Sequence, residues 1–213
     1  MILARSGFLS VSVDLPCHGL DRRPDEPTNP MEGWRTRIDA GDTLMPAFTA
    51  RASAVLDFLV AEGYADRDRI GACGTSRGGF SALHLAAAEP RIRFVVAFSP
   101  LTDLLAIREF KGAKRPEAAR ALDVMTLTDK LAGRLVWVCI GHDDKRVGTQ
   151  HAVDFARKLM ALSPAVTRPM DHFWSNDEVK LILAPSQSPG GHSTHRTAHE
   201  EAAAWILRWS GGK

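Results

Sequence analysis

Ser76 sits in the run Gly74-Thr75-Ser76-Arg77-Gly78-Gly79, between a short apolar run (Arg69 to Cys73) and a helix-like run from Phe80 to Ala88. Gly-x-Ser-x-Gly between a strand and a helix is the pattern of a nucleophile elbow. A serine lifted on so sharp a turn takes strained backbone angles and brings its neighbours two residues either side into contact. Glycine is therefore expected at 74 and 78. The turn presents the Ser76 hydroxyl, and the Arg77 N–H points to the same place at the positive end of the following helix. The chemistry such a group can do is nucleophilic attack on an acyl carbonyl.

A serine hydroxyl at neutral pH needs a base, and the base needs an acid to orient it. Carboxylates stand at Asp143 and Asp144, in Gly141-His142-Asp143-Asp144-Lys145-Arg146-Val147, directly after the apolar run LVWVCI. His192 follows Pro189-Gly190-Gly191, where two glycines give the backbone freedom to present an imidazole. His172 precedes the last strand-like run and reads as a loop residue. His195 and His199 follow His192 at +3 and +7, a spacing that invites a metal reading, although no carboxylate set obviously converges with them. The Cys73 thiol would point from mid-strand rather than from a turn. His84 reads as a packing or surface residue of a helix.

Alternating strand-like and helix-like runs position these groups. Phe8 to Asp14 reads as a strand, Thr43 to Glu62 as a helix with Leu44, Phe48, Ala52, Val55, Leu56 and Leu59 on one face. Ile70 to Thr75 is a strand, Gly78 to Ala88 a helix, Phe94 to Phe98 and Leu135 to Ile140 strands. Val147 to Leu162 is a helix, Val179 to Ala184 a strand, and Thr194 to Trp209 a closing amphipathic helix. Strands that are apolar throughout, alternating with helices, imply an α/β fold: a three-layer α/β/α sandwich around a mostly parallel sheet. Ligands of such sheets bind beyond the carboxyl ends of the strands, where Ser76 falls. Two segments break the rhythm. Leu15 to Asp42 is rich in Pro, Arg, Asp and Gly and reads as a long loop. Leu101 to Ala132 reads as a small helical insertion. Both end near Ser76, as pocket walls or as solvated linkers.

The 213 residues fit one domain, 1–213, with the insertion at 101–132. A formal net charge of +2 without a basic stripe argues against a nucleic-acid partner. No apolar run reaches the ~20 residues needed to span a bilayer. The opening residues carry one basic group, Arg5, and no small-x-small cleavage site, so they read as structure. Three cysteines make no disulfide framework; Cys73 and Cys139 are expected buried and reduced, which fits a cytoplasmic setting. No phosphate loop or dinucleotide fingerprint is present, and no cofactor is implied.

Over nearly its whole length the chain resembles the α/β-hydrolase superfamily, especially its prolyl-oligopeptidase-like and dienelactone-hydrolase-like branches. The resemblance lies in the elbow, in Gly141-x-x-Asp144-x-x-Val147 and in Gly191-His192. It implies Asp144 as the acid, with Asp143 the runner-up, and His192 as the base, in the chain order Ser, Asp, His. It implies a serine hydrolase of carboxylic esters of modest size. A small serine peptidase and a non-catalytic relative are the other readings. Relatives with haloalkane or epoxide chemistry carry Asp where Ser76 stands. The resemblance starts late. Ala4 to Asp14 and the loop to Gly19 look like the family's fourth strand and the loop after it, whereas upstream strands and an oxyanion loop have no counterpart. The expected sheet is thus N-terminally truncated, with a gap where the family's third strand would lie. Three arrangements would meet this. Phe8–Val13 pairs directly beside Ile70–Cys73, with the loop bearing Cys17 and His18 supplying a second oxyanion donor; or a second chain, a homo-oligomer for example, completes the sheet; or the chain is a truncated product. Arg77, Arg22, Arg23 and Arg35 would favour an anionic substrate if they face the pocket rather than solvent.

Overall fold

In the computed structural model the described residues are 2–162, 178–195 and 197–209. In chain order they form α1 (Ile2–Arg5), α2 (Pro30–Asp39), α3 (Met45–Ala61), β1 (Ile70–Thr75), α4 (Arg77–Ala88), β2 (Ile92–Phe98), α5 (Pro116–Ala121), α6 (Thr128–Leu131), β3 (Leu135–Gly141), α7 (Thr149–Leu162), β4 (Val179–Ala184) and α8 (Ala198–Trp209). The four strands form one parallel sheet in the order β1-β2-β3-β4. β2 and β3 are apolar almost throughout because helices cover both their faces. Alternate side chains go to opposite cores. Val95, Ala97, Val136 and Val138 pack with Phe80 and Leu83 of α4 and Phe155 and Leu159 of α7. Phe94, Val96, Phe98 and Trp137 pack with Ala202, Trp205 and Ile206 of α8. The result is the three-layer α/β/α arrangement of the α/β-hydrolase fold.

Leu15 to Asn29 is irregular, as expected of a loop, but the segment then folds into α2 rather than continuing as loop to Asp42. Asn29 caps α2, its side chain accepting from the Met31 N–H, with Pro30 in the first turn. Trp34 is fully buried and donates its Nε1–H to the Pro16 carbonyl at 2.7 Å. Arg37, buried, ties Asp21 (2.7 Å) and Glu26 together beneath it. Residues 101–132 form short helical turns around α5 and α6.

The expected strand at Phe8–Asp14 is not one. The segment runs extended without ladder bonds, and Leu9 and Val11 stand 58% and 52% exposed. An open cleft of about 570 Å³ separates it from β1, lined by Leu9 and Val11 on one side and Ile70, Ala72 and Cys73 on the other. The alternation of apolar residues with serine suits a strand, but a strand needs a neighbour's N–H and C=O groups within reach. Among the described residues β1 pairs only with β2, so Phe8–Val13 does not fill the gap beside Ile70–Cys73. Phe8 instead packs edge-on against Phe94, at 6.5 Å between ring centroids. Cys73 consequently opens onto the cleft rather than being buried, whereas Cys139 is buried as expected.

Candidate active site

Ser76 follows β1 at φ 56° and ψ −117°, outside the regions open to most side chains. Such strain costs about 1–3 kcal/mol and persists only where the surroundings impose it. Here they do. The Ser76 N–H donates to the Phe98 carbonyl at 2.8 Å, and its carbonyl accepts from Phe80 and Leu101, both at 3.1 Å. A Cβ at Gly74 would overlap the Gly78 backbone, which accounts for glycine at 74. The expectation for Gly78 fails, because a Cβ there meets open space. The turn is tight on the Gly74 side only.

Asp144 lies beyond the end of β3, with its side chain wholly buried. Its Oδ1 accepts from the Arg146 and Val147 N–H groups at 2.9 and 3.1 Å. Thr149 links the same turn, accepting from the Asp144 N–H and donating to the Gly141 carbonyl. The free oxygen, Oδ2, is 2.8 Å from His192 Nδ1, and His192 Nε2 is 3.1 Å from Ser76 Oγ. Ser76, His192 and Asp144 thus form one hydrogen-bonded run. Asp143 faces solvent, where the Ser186 hydroxyl donates to it and holds its carboxyl below the usual range, with no contact to His192.

Glycines bring the acid and histidine loops together. A Cβ at Gly141 would overlap the Gly191 carbonyl oxygen, and one at Gly191, which has φ +73°, would overlap the Asp143 carbonyl. The Lys145 N–H donates to the Gly190 carbonyl across the same seam. Ser99 is a further residue of the site that its local sequence does not single out. Buried at the end of β2, it donates its hydroxyl to the Ser193 carbonyl at 3.0 Å and so anchors the residue after His192. Its signal was faint: a Ser-Pro pair at the carboxyl end of a strand. His195 turns to Thr197 and His199 stacks on Phe98, so the three spaced histidines serve three different partners. Among the described residues no three His, Cys, Asp or Glu side chains gather as a metal site. His172 lies outside the described residues.

The Arg77 N–H, at the first position of α4, has no acceptor among the described residues and is available to an oxyanion. The loop bearing Cys17 and His18 does not supply the expected second donor. The Cys17 N–H is engaged by Asp21 Oδ1 at 2.8 Å, and the His18 N–H by the Leu15 carbonyl at 3.0 Å. Both close the loop on itself. Beside Ser76 opens a pocket of about 250 Å³, lined by Met31 of α2, Leu101 and Ile107 of the helical insertion, Thr75, Arg77, Arg146 and Val147. Arg146 makes a two-pronged ion pair with Glu109, at 2.8 and 2.9 Å. Burial would raise the Glu109 carboxyl, but its backbone hydrogen bond and Arg146 together hold it below its ordinary value.

The prolyl oligopeptidase family matches residues 52–213, three quarters of the sequence and every element from within α3 onward. The chain belongs to that family of serine hydrolases. No curated protein matches it. Among solved structures it is similar to a puromycin hydrolase (19% identity, TM-score 0.59, covering 75% of this chain and 25% of that one). It is similar also to a puromycin-hydrolysing peptidase of Mycobacterium tuberculosis (18%, TM-score 0.52, 75% and 23%). A third is a glucuronoyl esterase from Solibacter usitatus (15%, TM-score 0.56, 78% and 48%). At these identities the likeness is one of fold, and the chain spans a quarter to a half of the length of these proteins.

Proposed function

We propose that the chain is a serine hydrolase that cleaves carboxylic esters through an acyl-enzyme. The observation that supports this is the hydrogen-bonded run from Asp144 through His192 to Ser76, ending at an N–H on the amino end of α4 that no described residue engages. In this reading His192 Nε2 takes the Ser76 proton as Oγ attacks the carbonyl carbon. Asp144 fixes the imidazole tautomer and stabilises its cation. The Arg77 N–H receives the developing oxyanion, a contribution of about 3–4 kcal/mol for one well-placed donor. His192 then gives its proton to the departing alcohol, and water, deprotonated by His192, releases the acyl group.

The family match favours a second reading, hydrolysis of peptide bonds by the same three residues. Ester and amide substrates separate the two. On the first reading purified protein hydrolyses p-nitrophenyl butyrate, leaves the matching p-nitroanilide essentially untouched, and loses activity on Ser76→Ala. Efficient anilide cleavage would favour the peptidase. Equal rates for the wild type and Ser76→Ala on both substrates would mean a non-catalytic relative.

A further inference from the structure

Two arginines reach the Ser76 pocket, and their charges are handled differently. Arg146 is neutralised by both oxygens of Glu109. The Arg77 guanidinium is part-buried and has no carboxylate partner among the described residues. Burial pulls it below its ordinary value. The acidic group that acts on it is the Cys17 thiol, itself pushed up by burial to about 12 and so uncharged at neutral pH. The other arginines singled out in the sequence lie elsewhere. Arg23 pairs with Glu26 and Asp42, Arg22 reaches the Glu26 carbonyl, and neither they nor Arg35 line the pocket. A part-buried cation with no counter-ion among the described residues, one residue from a nucleophile, is suited to holding an anion. The remaining wall is apolar: Met31, Leu101, Ile107 and Val147. The space, about 250 Å³, equals roughly eight water volumes of about 30 Å³ each and suits a short acyl chain.

From this we infer that the site selects substrates whose acyl portion is short, apolar along its length and terminated by a carboxylate, with Arg77 as the residue that reads the carboxylate. The inference rests on Ser76 being the nucleophile. Its chemistry is that of the proposed hydrolysis: the ester bond breaks, the alcohol leaves with a proton, and water adds to give a dicarboxylate.

The test compares two p-nitrophenyl esters of equal chain length, the monoester of glutaric acid and the neutral pentanoate, each corrected for its rate without protein. The wild type is expected to favour the charged ester in kcat/KM by about 10- to 100-fold, the range for a hydrogen-bonded ionic contact. The preference should reside in KM and shrink as salt is raised. Arg77→Met is expected to bring the ratio to about one, and Arg77→Lys to restore part of it. A wild-type ratio of one or less overturns the inference, as does an Arg77→Met that slows both esters equally. If neither ester is turned over, the hydrolase reading fails and calorimetry with glutarate decides the anion site by itself. Binding abolished in Arg77→Met then supports the site, and no binding to the wild type refutes it.

Discussion

Replacing Asp144 with asparagine puts the orientation of His192 under direct test. Asp144 Oδ1 accepts two backbone N–H groups, from Arg146 and Val147, and Oδ2 faces His192 Nδ1 at 2.8 Å. An asparagine has one acceptor oxygen to distribute. With its NH₂ at the Oδ1 position, a buried N–H (Val147) and a part-buried one (Arg146) would meet a donor, a loss of up to about 1–3 kcal/mol for each. With its oxygen there the loop survives and the NH₂ faces Nδ1. The second arrangement wins by several kcal/mol. Nδ1 must then accept, its proton moves to Nε2, and the nitrogen 3.1 Å from Ser76 Oγ becomes a donor that can no longer take the serine proton. The same tautomer error in serine proteases lowers kcat by about 10⁴, or about 5.5 kcal/mol at 1.36 kcal/mol per tenfold. The assay is kcat for p-nitrophenyl butyrate at neutral pH, with Asp143→Asn as control. That side chain is 43% exposed and bound to Ser186, so its loss should change the rate less than about twofold. An Asp144→Asn that keeps more than about a tenth of the activity, or an Asp143→Asn that loses as much, refutes the assignment of acid and tautomer.

The glycines of the elbow should differ sharply in denaturant unfolding. Gly74→Ala, which forces a Cβ into the Gly78 backbone, should cost about 3 kcal/mol, whereas Gly78→Ala should be neutral or stabilise by up to about 1 kcal/mol. Equal damage at both positions would show that the turn is tight on both sides. His84, buried against Phe80 and bonded to the Leu122 carbonyl, is held down by desolvation to about 4. The unfolded chain therefore takes up this proton first. The neutral histidine's contribution is intact above about 6.5 and is lost as pH falls from there towards about 4, by roughly 3 kcal/mol. His84→Leu should remove most of that slope from unfolding midpoints measured between those pH values, and an unchanged slope would contradict it. Cys73, open to the cleft beside β1 but with its thiol raised by desolvation, should be the one cysteine alkylated in the native protein. The reaction should be slow at pH 7 and quicken above about pH 9; protection of Cys73 in peptide mass mapping would mean that the cleft is filled.

The parts legible in the sequence were those fixed by local chemistry. Ser76 could be read because a strained turn admits few residues at Gly74, and the central strands β2 and β3 because parallel strands covered on both faces are apolar throughout. Asp144 and His192 were reached through a family pattern, since nothing local separates Asp143 from Asp144. Their difference lies in which side chain turns inward at the end of β3. α2 was hidden by composition, although Asn29-Pro30 was a legitimate helix start. Phe8–Asp14 misled because alternation records a strand's faces but not whether a partner lies within hydrogen-bonding distance. Cys17 and His18 followed from that misplaced strand, and their N–H groups close their own loop. Ser99 acts across 94 residues on the carbonyl of Ser193, a contact that only the assembled sheet creates.

Covalent labelling reads an activated Ser76 without any assumption about substrate. The wild type, Ser76→Ala and His192→Ala would each be treated with a fluorophosphonate, followed by intact-mass and peptide mass measurement. One adduct per chain on Ser76 is expected in the wild type, none in Ser76→Ala, and labelling slowed by orders of magnitude in His192→Ala. A wild type that stays unlabelled, or one that labels equally fast without His192, would contradict activation of Ser76 by His192.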